Sequence, residues 1–427
     1  MAYRALTWAA LPVIGVGLLY CSAAGHHETT SGTTAPTTIT GTGGTGGGGV
    51  GGLDLDGGPG GAPSNMCPGN VQSFIWISNT GEGTLSKVCT LTATEVARYD
   101  TSPQLAAGDP SRTSVNLHGD MVVTNRSPTS GPSSVTKFAG DINDCVDRNQ
   151  DGHIDTSTGP DDVKPWGEDE CMLWNTPLGG TAIGARATAW DGTEDPDTGL
   201  GGHVYIGALD TRTVFELDGD TGAILQQAVT QLAHYGGAID NQRNFWTVDM
   251  NCTIGQCQIE RINMDDLSDH DKHPVHCGYG ISVDGQGRVW TAGQNVFAGG
   301  GCVSRFDPAT NENLWVNTGG MDFNRGVAVG IAASAGSVWA ASTNGDLIQV
   351  DMESVTIVHR QLGGVESMVG VAIDYEGNVW TVSQGGNAAH KVDPTTWTVT
   401  NVPIGLQPYT YSDMTGMQLW GAVGPPR

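Results

Sequence analysis

Between two cysteines, residues 145–171 read CVDRNQDGHIDTSTGPDDVKPWGEDEC, and their oxygen-bearing side chains keep the rhythm of a calcium loop. Asp147, Asn149, Asp151 and Asp155 stand at positions 1, 3, 5 and 9, and Gly152 at position 6 permits the sharp turn. His153, at position 7, offers its backbone carbonyl. Position 12 is Thr158 where such a loop carries a bidentate Glu. Asp161, Asp162, Glu168, Asp169 or Glu170 must then complete the shell from farther along. No amphipathic helix flanks the stretch, which argues against an EF-hand sensor. Hard oxygen donors without thiolates favour Ca2+ over Zn2+. The expected role of the ion is structural: together with a Cys145–Cys171 bridge it staples a long insertion that has little core of its own.

The chain around this loop has 427 residues, enough for one large or two ordinary domains. Acids outnumber bases by 45 to 19, giving a formal charge of -26 that repels phosphate backbones, so no nucleic-acid partner is expected. Few charges and abundant Gly, Thr, Ser and Asn suit short strands and many turns. Arg4 followed by the apolar run from Ala5 to Leu19 has the make-up of an export signal and is short for a membrane span. Two endings are open. Leu18-Leu19-Tyr20-Cys21 resembles a bacterial lipoprotein box, with Cys21 lipidated after cleavage, whereas Ser22-Ala23-Ala24 offers ordinary cleavage before Gly25. Residues 1–24 are therefore expected to be a signal peptide and 25–65 a flexible Gly/Thr/Ser-rich tether. The protein is expected in the outer cell envelope or periplasm as a lipoprotein, touching membrane only through that anchor, or secreted. It is expected to be a monomer.

From residue 70 onward the chain repeats. An apolar pair, often with Trp, recurs in FIWISN (74–79), MVVTN (121–125), HVYIG (203–207), NFWTVD (244–249), RVWTAG (288–293), SVWAAS (337–342) and NVWTVS (378–383). The spacing is roughly forty to fifty residues, except for the double gap between 121 and 203 that holds the acidic loop. A second alternating element follows each one: LSKVC, VTKFA, VFELD, IERIN, VSRFD, LIQVD and AHKVD. A third, such as GISVD (280–284) or GVAID (370–374), precedes most Trp strands and joins them through a hairpin turn. Four strands per unit, seven times over, define an all-β fold: a seven-bladed β-propeller of four-stranded antiparallel blades over 66–420, with 140–180 an insertion in blade two and 421–427 a tail. Blade one lacks its inner strand. YTYSDMTG (409–416) is expected to supply it, so that a C-terminal inner strand added to the N-terminal blade closes the ring.

Setting Cys21 aside, eight cysteines remain of nine. In this topology nearest neighbours share a face, so the expected pairs are Cys67–Cys89, Cys145–Cys171, Cys252–Cys257 and Cys277–Cys302. The five strand-two tryptophans 76, 246, 290, 339 and 380 are expected in the core, and Asp240, Asp284 and Asp374 in the hairpin turns.

The repeated GVAID…GNVW…VDP units, clearest in VGVAIDYEGNVWTVSQGGNAAHKVDP (369–394), resemble virginiamycin B lyase-like and NHL-type seven-bladed propellers. The lyase members imply elimination at an ester of a cyclic depsipeptide, with a His base, a nearby acid and Mg2+. His234 and His276 are the weak candidates for that base, with His118 and Glu366 near inner strands as well, and no catalytic residue is carried over. Propeller ligands usually meet the channel mouth at the starts of the inner strands. Arg112, Arg186, Tyr235, Tyr279, Arg325 and Tyr411 fall there, a patch suited to an anionic ligand, a glycan, a peptide or a protein. The leading expectation is a binding and interaction module, with the balance leaning against an enzyme and a purely structural surface protein as a third reading. The alternative is a metal-dependent lyase or hydrolase using Mg2+ at the mouth.

Overall fold

The computed structural model describes residues 65–424, apart from 71, 128–130, 182–183, 251, 253–256, 296–298, 320–322 and 363–366. The expected signal peptide, Cys21, the tether up to residue 64, Glu366 and residues 425–427 lie outside the described residues. Asn65 is buried, its amide 3.0 Å from the Tyr99 hydroxyl and its carbonyl 2.9 Å from Lys87 Nζ.

Seven antiparallel sheets follow one another along the chain, over 74–100, 110–181, 185–229, 236–275, 280–319, 324–362 and 368–403. The last five are four-stranded in sequential order. The Trp-bearing strand is second in its blade, buried on both faces, which is why its sequence runs apolar without strict alternation. Trp76, Trp246, Trp290, Trp339 and Trp380 are fully buried.

The aspartates before the hairpins do more than turn the chain. Asp240, Asp284 and Asp374 each accept backbone N–H groups two and four residues on. The second carboxylate oxygen of each takes the indole N–H of its blade's tryptophan, Trp246 at 2.8 Å and Trp290 and Trp380 at 2.9 Å. Turn and core are thereby locked by one side chain. Blade six has Gly330 where blades four, five and seven have Asp, and the buried indole nitrogen of Trp339 is left without a partner.

Ring closure departs from expectation in detail. Residues 408–414 run beside Phe74–Asn79, through an Asn79–Pro408 bridge and backbone bonds from Tyr409 N to Ser78 O (3.0 Å) and Trp76 N to Met414 O (2.9 Å). A regular inner ladder on blade one is not formed. A two-residue strand, Tyr411–Ser412, pairs instead in parallel with Arg112 and Thr113 of blade two. Pro408 has no N–H to give, and Gln407 and Ser412 take φ of 47° and 68°, which breaks extended pairing on either side.

The helix Met417–Val423 then packs against the far ends of the inner strands, with Leu419 in the core beside Trp190. Asp413 holds its start, accepting from Gly416 N at 2.7 Å and Leu419 N at 2.8 Å. Residues 139–171 link Pro132–Phe138 to the outer strand Met172–Thr181 of blade two, so that strand takes up most of the end of the 140–180 segment. All four expected disulfides are formed. They fit an extracellular, oxidising setting. No helix among the described residues is long and apolar enough to cross a membrane.

Candidate functional site at the channel mouth

The inner strands crowd the propeller axis, and glycine makes this crowding feasible. A Cβ on Gly280 would sit 2.2 Å from the Arg325 carbonyl oxygen, and one on Gly370 2.2 Å from that of Thr410. The residue just before three of the inner-strand glycines is at the mouth: Tyr279 before Gly280, Tyr235 before Gly236 and Arg325 before Gly326. Arg112 and Arg186 come from the inner strands Pro110–Val115 and Ala185–Trp190, and Tyr411 from the closing segment.

The structure brings these side chains together and adds two that the repeat did not mark, Tyr409 and Arg126. Tyr409 is the hub. Its hydroxyl lies 2.6 Å from that of Tyr235, 2.5 Å from that of Tyr279 and 3.3 Å from Arg186 Nη2. The Tyr411 hydroxyl donates to Tyr279 at 3.2 Å. Arg112 stacks 4.0 Å over the Tyr411 ring, and Arg186 4.1 Å over that of Tyr235. Arg126 lies 5.3 Å over the Tyr409 ring and is ion-paired with Asp109. Arg325 reaches Gln384 Oε1 at 3.4 Å. Among the described residues no carboxylate forms an ion pair with Arg112, Arg186 or Arg325, and the Nε of each is unpartnered.

Burial works against charge here, yet the guanidiniums prevail at one phenol. Desolvation raises the pKa of Tyr409, and Arg186 and Arg112 outweigh it, bringing the group down to about 6. Burial and the neighbouring phenols push Tyr279 and Tyr411 up. The cluster therefore concentrates positive charge on a single phenolic oxygen.

The histidines lie elsewhere. His234 is buried between the Thr230 and Thr247 hydroxyls, at 2.9 and 3.0 Å, and burial lowers its pKa to about 4. His276 stacks on Trp315 with ring centroids 5.2 Å apart, and burial lowers its pKa too. His118 does meet acids. Its Nε2 is 2.8 Å from Asp144, its Nδ1 2.9 Å from the Pro196 carbonyl, and the Asp144 bond raises it to about 9. His118, Asp120 and Asp144 are the one set of His, Cys, Asp or Glu among the described residues whose ligand atoms lie within 4.8 Å of one another. Both ring nitrogens of His118 are engaged, and Asp120 is held by Lys137 Nζ at 3.0 Å and Gly140 N at 2.9 Å. Those partners make it a salt-bridged corner, and no catalytic step is derived through it.

In the acidic loop, Asp147 accepts from Gln150 N (2.6 Å) and Gly152 N (3.0 Å), Asn149 from Asp151 N and Asp151 from His153 N, both at 2.9 Å. Asn149 Nδ2 meets Asp155 at 3.0 Å. Gly152, at φ 86°, makes the turn that its place in the loop requires. Of the acids farther along, three have carboxylates against the loop: Glu170 accepts from Arg148 N at 2.7 Å and Asp155 N at 2.9 Å, Asp169 from Ser157 N at 3.0 Å, and Asp162 from Thr158 N at 3.0 Å. Ile154 packs onto the core shared by blades one and two.

Fold and mouth together define a seven-bladed propeller with a cationic, tyrosine-lined channel. No family model matches the chain. No curated protein matches it. Among solved structures it is similar to hydrazine synthase of Kuenenia stuttgartiensis, at 13% identity over 73% of this chain and 91% of that one, with a TM-score of 0.51. Virginiamycin B lyase from Staphylococcus aureus matches at 13% identity over 72% and 90%, with a TM-score of 0.49. The propeller domain of Myceliophteria thermophila Cps50 (Swd1) matches at 8% over the same shares, with a TM-score of 0.48. At such identities the likeness is one of fold.

Proposed function

We propose that this protein is an exported, monomeric binding module that holds an anionic group of a glycan, peptide or protein ligand at the mouth of its channel. One observation carries the reading. Arg112, Arg186 and Arg325 are buried or half-buried, face tyrosines instead of carboxylates, and keep unused Nε donors in a chain of charge -26. A purely structural role would lock the blades by pairing each of them off with neighbouring acids and tyrosines, Nε included, as the Nε of Arg288 and of Arg261 is taken up by Asp284 and Asp271. The lyase alternative, with Mg2+, needs His234 or His276 against an acid. His234 bonds two hydroxyls and the backbone of Arg212, and His276 bonds the backbone of Asn313 and stacks on an indole. The test is calorimetric titration of carboxylated and sulfated oligosaccharides and acidic peptides into the full-length protein. Loss of one charged donor in Arg186→Gln is expected to weaken the best ligand by roughly 10- to 100-fold. Equal binding by the variant, or a preference for neutral ligands, sinks the reading.

The acidic loop is read as a structural calcium site in the same module. Asp147, Asn149, Asp151, the His153 carbonyl and Asp155 would hold the ion, with Glu170 (whose carboxylate meets Asp155 N), Asp169 or Asp162 to complete the shell. Their oxygens are hard donors, and the Cys145–Cys171 bridge already ties the loop's ends. Calorimetry with CaCl2 is expected to show one site that the Asp147→Ala/Asp151→Ala variant lacks. At calcium a hundredfold above Kd, wild type should gain about 2.7 kcal/mol over the chelated protein, read as a rise in unfolding midpoint. A midpoint indifferent to calcium counts against the site. A surface tether through Cys21 belongs to the same reading of an envelope protein.

A further inference from the structure

We propose that Tyr409 is the resident occupant of an oxyanion site: its phenolic oxygen stands where the oxyanion of an incoming ligand stands, and binding exchanges one anion for the other with uptake of one proton. This rests on the binding-module reading above and names what the mouth recognises, a carboxylate, sulfate or comparable oxyanion.

The geometry is that of an anion receptor with its guest in place. Three groups able to donate converge on one oxygen: the Tyr235 hydroxyl at 2.6 Å, the Tyr279 hydroxyl at 2.5 Å and Arg186 Nη2 at 3.3 Å. They come from three different blades, so the donor set is held by the ring and not by the segment that carries Tyr409. Tyr409 itself belongs to the closing segment, held by Tyr409 N to Ser78 O, the Asn79–Pro408 bridge and the short pairing of Tyr411–Ser412 with Arg112 and Thr113. It is half-buried, whereas Tyr235, Tyr279, Tyr411, Arg112 and Arg186 beneath it are buried. The other tyrosines and the two arginines Arg112 and Arg186 are thus set deeper than the guest they hold. The unpartnered Nε atoms of Arg112 and Arg186 give a ligand polar contacts that a single phenolic oxygen leaves unused.

The charged and titratable groups facing Tyr409 are Arg112, Arg126, Arg186 and Arg325, with Tyr235, Tyr279 and Tyr411; Asp109 is taken up by Arg126. With no carboxylate facing the cluster among the described residues, a phenolate is the available counter-charge. Arg186 and Arg112 bring Tyr409 down to about 6 against the pull of burial. The exchange balances. Tyr409 leaves as a neutral phenol after taking one proton from solvent and the ligand's oxyanion enters; a carboxylate or sulfate ester leaves the charge of the mouth unchanged, and the sulfate dianion makes it more negative by one. Above the Tyr409 pKa, affinity for an oxyanion therefore falls by roughly tenfold per pH unit.

The experiment uses full-length protein and two readouts, tyrosinate absorption against pH and calorimetry with sulfate in buffers of different ionisation enthalpy. Wild type is expected to show one tyrosine ionising near pH 6, absent in Tyr409→Phe and moved towards the ordinary range in Arg186→Gln and, as a second variant, Arg112→Gln. Sulfate is expected to quench that tyrosinate with uptake of about one proton per anion, while Tyr409→Phe binds sulfate more tightly and without the proton. Absence of the early tyrosinate in folded wild type overturns the proposal, because that readout needs no ligand. Sulfate binding that leaves the tyrosinate intact overturns the exchange. If the tyrosinate titrates as expected yet neither wild type nor Tyr409→Phe binds sulfate at any pH, the anion-binding reading itself has failed and the exchange falls with it.

Discussion

Trp290→Ala is expected to destabilise the propeller by about 3–5 kcal/mol, the range for emptying a fully buried aromatic position. Trp290→Phe is expected to cost about 1–3 kcal/mol, since the ring volume is largely kept but Asp284 loses a donor. The two substitutions separate packing from bonding. Trp290 lies in the core with Val303, Val327 and Val338, and its indole N–H donates to Asp284 at 2.9 Å. The same carboxylate is tied to the hairpin and to Arg288 Nε at 2.7 Å, so the loss reaches the turn as well. Trp339→Phe in blade six is the control. Its indole nitrogen has no partner, and that substitution is expected to cost less than Trp290→Phe. The check is the urea midpoint of each variant, followed by circular dichroism. Equal costs for the two Trp→Phe changes would remove the Asp–Trp bond from the account of what holds a blade together.

The blades were legible because each repeats one solution to one packing problem. A Trp strand, an alternating strand and an Asp before the hairpin recur at fixed offsets, and the cysteines fall where that topology brings neighbours onto one face. The double use of Asp240, Asp284 and Asp374 was half visible: the turn follows from residue type, whereas the indole bond depends on how far the strands twist. Gly330 in the Asp position of blade six is a one-letter signal of the orphaned indole there. The channel mouth was legible only where it repeats. Arg112, Arg186, Tyr235, Tyr279 and Arg325 sit at equivalent points of successive blades and could be collected by alignment. Tyr409 lies in the one segment that repeats nothing, and its position depends on the strained backbone at Gln407 and Ser412. The Tyr-Thr-Tyr spacing of 409–411 was the available hint, since alternate residues of an extended segment share a face. Glycine's part in narrowing the channel was hidden for a similar reason. A conformationally free residue and a sterically compelled one look alike in sequence.

Lys87→Met is expected to change the sign of its effect with pH. Lys87 is buried in blade one, its Nζ bonded to Asn65 Oδ1 at 2.9 Å and the Gly140 carbonyl at 2.8 Å, and 4.2 Å over the Phe74 ring. Burial lowers its pKa from 10.5 to about 7, against the pull of Asp141, Asp120 and Asp169. Between those values the unfolded chain binds the proton and the folded chain does not. Stability from this group therefore rises with pH across the window from about 7 to 10.5 and is lowest below it. A shift of that size corresponds to about 4–5 kcal/mol, an upper bound because the aromatic rings beneath Nζ favour the charged form. Methionine keeps the length of the side chain and removes the penalty, while forfeiting two hydrogen bonds at about 1 kcal/mol each. At pH 6 the variant should accordingly be the more stable protein by about 2–3 kcal/mol, and above pH 10.5 the less stable by about 2 kcal/mol. Unfolding midpoints of the two proteins, measured at intervals across that range, should cross. Parallel curves would mean that Lys87 keeps its ordinary pKa, with the Phe74 and Trp76 rings and the neighbouring carboxylates offsetting its burial in full.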